Sequence, residues 1–372
     1  MEIDRRTFIG GAAASLILGN TAGASRNEGP MFAASCKTAS GDYSAVVFSL
    51  NSGVLTQVPL PDRGHDIAQR PGRPDCVVFA RRPGNFAGVF EAGGRRPARF
   101  FTTRPDRHFF GHGVFSSDGK LLYATENDFQ HGRGVIGIRD ATDRYRWIGE
   151  FLSDGTGPHD LAVLSDARTL VVANGGIDTH PDSGREMLDL AAMQPSLAYI
   201  DLRSGDVLET HKLDAALHQL SIRHLALGAR DTVVFACQFE GPATEHPPLV
   251  GFHRRGEPLR MIEAPAPIHR RMRNYAGSAA VSRTGDIAAV SSPRGGLITY
   301  WDIAARRYIG CTDLADGCGV TGTGHGSEFL LTSGTGEMLL GPDKAPLDAH
   351  VTQQLKAYAW DNHAALLEFS DK

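Results

Sequence analysis

From about residue 32 onward the chain is written in short apolar runs, many of them alternating with polar residues, and each is closed by Gly, Asp, Asn or Ser. Alternation with period two marks a strand with one face buried, and such punctuation marks tight turns between strands. Residues 32–38, 43–50 and 54–60 read as three strands, with Ser40-Gly41-Asp42 and Asn51-Ser52-Gly53 as the turns between them.

A phrase recurs at the head of later groups of runs: Gly64-His65-Asp66-Ile67, Gly111-His112-Gly113-Val114 and Pro158-His159-Asp160-Leu161. Successive histidines of these three copies are 47 residues apart. Further copies read Arg223-His224-Leu225 and Asn362-His363-Ala364. A period of this length signals a repeat architecture in which each unit is one small sheet. Later units supply four strands each, and the seventh is read as 319–323, 328–331, 337–340 and 355–360. The first unit has three strands, and the lone run 362–369 supplies its fourth. The expectation is an all-β, seven-bladed β-propeller, closed by pairing the C-terminal strand with the N-terminal blade, which leaves no open edge at the seam. A pair of β-sandwiches fits strand spacing alone, but not the period or the complementary ends.

Composition is that of an ordinary globular protein, with 43 Gly and 20 Pro that suit many turns. The net charge of −4 argues against a nucleic-acid partner. Residues 1–24 read as a twin-arginine export signal: Arg5-Arg6 precede the apolar stretch 10–18 and the small-residue site Ala22-Gly23-Ala24. The expected mature protein, 25–372, is therefore periplasmic, and no later run is apolar and long enough to span a bilayer. Of five cysteines only Cys311 and Cys318 are near each other in sequence, and no Cys-x-x-Cys pair suggests haem attachment or a zinc ribbon.

In a propeller the first strand of each blade lines the central axis, so His65, His112, His159, His224 and His363 are expected near one mouth of the channel. Ser278 and Val320 take the equivalent places in blades six and seven. The loops joining second and third strands reach the same mouth with Arg81, Glu126-Asn127, Asn174, Gln238 and Arg294, and Arg223 precedes its histidine directly. This set suits a metal ion, or a metal-bearing or anionic ligand. The five histidines and Glu126 are the candidate metal ligands, and Arg81, Asn127, Asn174, Arg223, Gln238 and Arg294 the candidate ligand-binding groups. Neutral imidazole suits iron, copper, zinc or nickel, and a carboxylate such as Glu126 fits iron in particular. The competing role is structural: WD-repeat propellers carry a Gly-His step whose His bonds only within its blade.

Two stretches stand outside the repeat. An insertion at about 175–195 carries His180, Arg185, Met187 and Met193, where Met193 is either a soft ligand or an apolar anchor. The run His269-Arg270-Arg271-Met272-Arg273-Asn274-Tyr275 precedes the sixth blade and is expected to overhang the mouth or to be a solvated loop.

The motifs 111–112, 126–128, 157–161 and 172–177, the insertion, and Leu220 to Leu225 together resemble an uncharacterised bacterial family of the DUF1513 type. Leu188-Asp189-Leu190 departs from its pattern, which has Asn in the middle. The resemblance implies a twin-arginine-exported periplasmic propeller found beside imelysin-type and other iron-uptake proteins, which become the expected partners. It does not supply a reaction. Three functions remain open: a non-enzymatic metal-binding propeller, a propeller enzyme (lactonase-like hydrolase or metal-dependent oxidoreductase), and a docking scaffold that works through the insertion.

Overall fold

Seven four-stranded antiparallel sheets stand around one axis in a computed structural model that describes residues 29–343 and 345–369. The expected export signal, 1–24, lies outside the described residues. Blade 1 runs, from axis to rim, Ala359–Leu367, Met31–Lys37, Tyr43–Ser49 and Gly53–Pro59. The last strand thus pairs antiparallel with the first, Met31 opposite Leu367 and Ala33 opposite Ala365, and closes the ring as expected. The other inner strands are Gly64–Gln69, Arg107–Phe115, Pro158–Val163, Leu220–Gly228, Ser278–Val281 and Gly317–Gly322. Each packs beside the next, and Gly317–Gly322 packs beside Ala359–Leu367.

The sequence pattern of each strand follows its distance from the axis. Second strands such as Thr232–Phe239 and Thr169–Asn174 are buried at every residue because neighbouring blades cover both faces. Outer strands alternate or face solvent, as in Val207–Lys212. The apolar side chains sandwiched between blades form a chain of clusters around the ring, one of which joins Val234, Phe235, Phe252 and Trp301. Turns use the chemistry read from the sequence. Between Arg107–Phe115 and Leu121–Asp128, Asp118 accepts from Ser116 Oγ (2.7 Å) and the Lys120 amide (3.0 Å), and Gly119 takes φ 66°.

Blade 7 differs from expectation. Its rim strand is the two-residue Ala345–Pro346, and Leu355 ends a helix, Ala349–Leu355, rather than starting a strand. Asp348 caps that helix by accepting from the His350 and Val351 amides, and Val351 and Leu355, four residues apart, bury one face in the core. The insertion falls between Thr169–Asn174 and Ser196–Asp201, with Met193 buried at its base as the anchor. The basic run before blade 6 begins in a short helix, Ala266–Arg271. Arg271 donates to the Gly295 and Gly296 carbonyls and pairs with Asp313. All five cysteines are free thiols. Among the described residues no helix is long and apolar enough to cross a membrane.

Candidate functional site

Each of the five repeated histidines sits where its strand breaks register with the next. Pairing slips between Gly64 and Ile67, Phe109 and Gly113, Pro158 and Asp160, and Ile222 and His224, and again where Ala359–Leu367 passes Cys36. A β-bulge re-aims a side chain that regular pleating would hold against the neighbouring sheet. Blade 6, which has Ser278 instead of His, pairs without a break, whereas blade 7, with Val320 in that place, breaks between Gly317 and Gly319. Gly111 enters its bulge at φ 111°, and a Cβ there would lie 2.5 Å from the His65 ring. The step before His112 must be glycine for both reasons.

The result is one histidine cluster on the axis. Ring centroids are 4.6 Å apart for His65 and His363, 4.7 Å for His159 and His224, 4.9 Å for His112 and His159, and 4.7 Å for His112 and His363. One nitrogen from each of His65, His112 and His159 lies within 4.8 Å of the others, and the same holds for His112, His224 and His363. Metal–imidazole bonds of about 2.1 Å hold ligand nitrogens at most about 4.2 Å apart, so small ring rotations bring either trio onto an ion.

Carboxylates stand behind the rings. His65 Nδ1 is 3.0 Å from Asp361, and His112 Nδ1 is 3.3 Å from Asp160 and 3.4 Å from Asp66. His363 Nδ1 is 3.2 Å from the Ser278 hydroxyl. A ring that donates through Nδ1 to such a partner turns the lone pair of Nε2 outward, the arrangement that fixes tautomer and orientation in metal-binding histidines. Burial pushes His65, His159 and His224 well below the usual imidazole range, and His363 down to about 4. Those rings are neutral and need lose no proton to ligate. Burial acts on His112 too, but Asp160 and Asp66 outweigh it and hold it up at about 10, so His112, unlike the other four, must give up its Nε2 proton to ligate an ion.

Five buried nitrogens in this cluster have no hydrogen-bond partner: Nε2 of His112 and His363, Nδ1 of His159, and both of His224. Each such group costs about 1–3 kcal/mol. A cation with several coordination positions satisfies those of them that present a lone pair, one per neutral ring.

Above the cluster opens a cavity of about 470 Å³, lined by His65, His159 and His224 and by a collar of arginines. Of the residues singled out in the sequence, Arg81, Arg223, Gln238 and Arg294 line it, and His112 and His363 complete the cluster without lining it. Glu126, Asn127 and Asn174 lie elsewhere. The Glu126 carboxylate bonds Arg139 at 2.5 Å, and Arg139 lies over the rings of Phe101 and Phe109, 5.1 Å from each centroid. Glu126 shares its strand face with Leu122 and Ala124, which pack on Phe79 and Phe109, and so it points between blades rather than to the axis. Asn127 donates to the Thr179 carbonyl (2.8 Å) and ties down the insertion, and Asn174 donates to the Ser153 carbonyl (2.9 Å). Asp361, Arg63, Tyr275 and Arg185 are site residues that the repeat did not reveal. Arg63 and Asp361 each stand two residues before a cluster histidine, and the two side chains meet each other while Asp361 also meets His65.

The sequence matches, over residues 58–367, the family described as Protein of unknown function (DUF1513). The chain belongs to that family. Comparison with curated proteins returns no match. Among solved structures, this DUF1513 member is similar to Kuenenia stuttgartiensis hydrazine synthase, with TM-score 0.63 and 13% identity over 89% of this chain and 99% of that one. It is also similar to the Myceliophteria thermophila Cps50 (Swd1) β-propeller domain, with TM-score 0.57 and 10% identity over 81% and 89% of the two chains. The structure of U3-55K matches with TM-score 0.57 and 13% identity over 83% and 86%. At these identities the likeness is one of fold.

Proposed function

We propose that this DUF1513 protein binds a first-row transition metal ion, iron or copper, through the histidines on its propeller axis. We place it, after twin-arginine export, in the periplasm beside imelysin-type and other iron-uptake proteins. The observation that carries the metal reading is the convergence of five buried imidazoles on the axis, three of which, His65, His112 and His363, are held from behind by Asp361, by Asp66 with Asp160, and by Ser278. Imidazole donors suit iron, copper, zinc and nickel. With Glu126 withdrawn the donors that meet are all nitrogen, which leaves copper as well placed as iron. The Cys318 thiol is spent on the Trp360 and Asp361 carbonyls and adds no soft ligand.

Elemental analysis of the protein purified from its native envelope tests this reading. The expected result is about one iron or copper per chain, lost in His112→Asn and His224→Asn variants that keep the wild-type circular dichroism. A metal-free native protein that also fails to take up either ion in vitro overturns it.

A second reading shares the site. Because the cavity reaches His65, His159 and His224, an ion held there keeps one face open to small molecules, as a metal-dependent oxidoreductase or lactonase-like hydrolase requires. Turnover by the metal-loaded protein, absent from the His112→Asn variant, would favour the enzyme over the carrier.

A further inference from the structure

The arginines around the cavity outnumber the acids that answer them. Arg63, Arg81, Arg82, Arg185, Arg223 and Arg294 line it, against Glu240 and Asp316. Arg63 and Arg81 are met by Asp361 at 2.5 and 3.2 Å. Among the described residues no carboxylate lies within 4 Å of Arg82, Arg185 or Arg294. Arg223 comes no nearer than 3.9 Å to Glu240, is 8% exposed, and keeps its Nε without a partner. Arg82 donates one amino group to the Arg185 carbonyl (3.2 Å) and holds the other buried and unpartnered. Arg294 lies over the Tyr275 ring, 4.3 Å from its centroid. Guanidinium groups gathered this closely repel one another, and their forks are shaped for paired oxygens. A wall that keeps them together is completed by an anion.

The remaining wall narrows the class. Phe110, Met187 and Pro293 offer apolar surface beside the charges. An inorganic oxyanion has nothing to lay against them, but a carbon skeleton does. The volume suits a small organic molecule and is too small for a folded partner domain. Met187 and Arg185 come from the insertion, so the loop outside the repeat supplies part of the specificity.

We propose that the cavity binds a small polycarboxylate, an organic anion with at least two carboxylates held by the arginine collar directly above the histidine cluster. This deepens the metal reading and rests on it in one respect: such an anion is also a chelator, and its oxygens are placed to complete the coordination of an ion held from below by imidazoles. The anion site itself stands on the arginines.

Isothermal titration of the mature protein, stripped of metal and desalted, with citrate as probe and sulfate and phosphate as comparison anions, tests it. Citrate is expected to bind one to one, at least ten-fold more tightly than sulfate or phosphate. The double variant Arg185→Gln/Arg294→Gln, altered at two exposed side chains, is expected to weaken citrate at least ten-fold with an unchanged melting temperature. Citrate binding no tighter than sulfate, or undiminished in the double variant, overturns the proposal. Failure of the metal reading shows separately, as wild-type protein that takes up no ion while its citrate isotherm is intact.

Discussion

His65 Nδ1 and the Asp361 carboxylate meet at 3.0 Å across two adjacent blades, although 296 residues separate them in the chain. The contact sits where the last strand of the protein returns to the ring. It joins closure of the fold to orientation of a candidate ligand, and the same carboxylate also holds Arg63 and Arg81 at the cavity wall.

Asp361→Asn therefore acts on the site through His65. It keeps the shape of the side chain but weakens the charge that fixes the imidazole. Partners of this kind typically alter metal affinity by about 10–100-fold, and a loss of that size is expected here in a metal-competition titration. Asp361 is held well below the usual carboxylate range by His65, Arg81 and Arg63, which outweigh its burial. Some loss of stability accompanies the change for that reason. An unaltered metal affinity would show that His65 needs no orienting partner.

Gly111→Ala places a methyl group against the His65 ring at a backbone conformation that alanine avoids. Strain and overpacking together cost about 2–4 kcal/mol. Denaturant unfolding is expected to show that loss, and metal uptake is expected to fall with it because the ring is displaced.

Glu126→Ala separates fold from site. It leaves Arg139, which is 1% exposed, without its partner between blades. Breaking a buried pair this way costs about 3–5 kcal/mol. The metal content of the folded variant is expected to equal that of the wild type, because Glu126 does not reach the histidine cluster. A selective loss of metal at full stability would return Glu126 to the ligand set.

Acid sensitivity is expected from histidines outside the cluster. Burial lowers His108 and His253 to about 4. His253 sits 2.6 Å from the Tyr199 hydroxyl and 2.8 Å from the Glu257 carbonyl. Their folded-state values lie below the unfolded value of about 6.5, so the unfolded chain binds more protons between the two. Their contribution to stability is complete above about pH 6.5 and is lost as pH falls towards 4. Melting temperatures measured across this window are expected to drop, and to drop less steeply in His253→Gln.

The axial histidines were legible because each recurs in the inner-strand phrase of a repeating unit, and a ring turns a repeat along the chain into a circle around an axis. Glu126 and Gln238 each follow their blade's histidine by 14 residues, yet only Gln238 reaches the cavity. Spacing placed both near the strand end. Which face each side chain took depended on bulges and on cross-strand partners, and for Glu126 the partner was Arg139. The expected rim strand at 355–360 failed for a local reason, the Asp348 cap and the Val351–Leu355 pair that make a helix there.

By itself the sequence determined the number of blades, the closure by the C-terminal strand and the identity of the five axial imidazoles. Those follow from hydrophobic alternation and turn residues, which act over a few neighbours. Only the tertiary structure decided that the imidazole nitrogens meet, that Asp361 stands behind His65, and that Arg185 from the insertion joins Arg82 and Arg223 at one cavity. These are contacts between residues scores to hundreds of positions apart, and they exist only once loop closure has brought every blade into the ring.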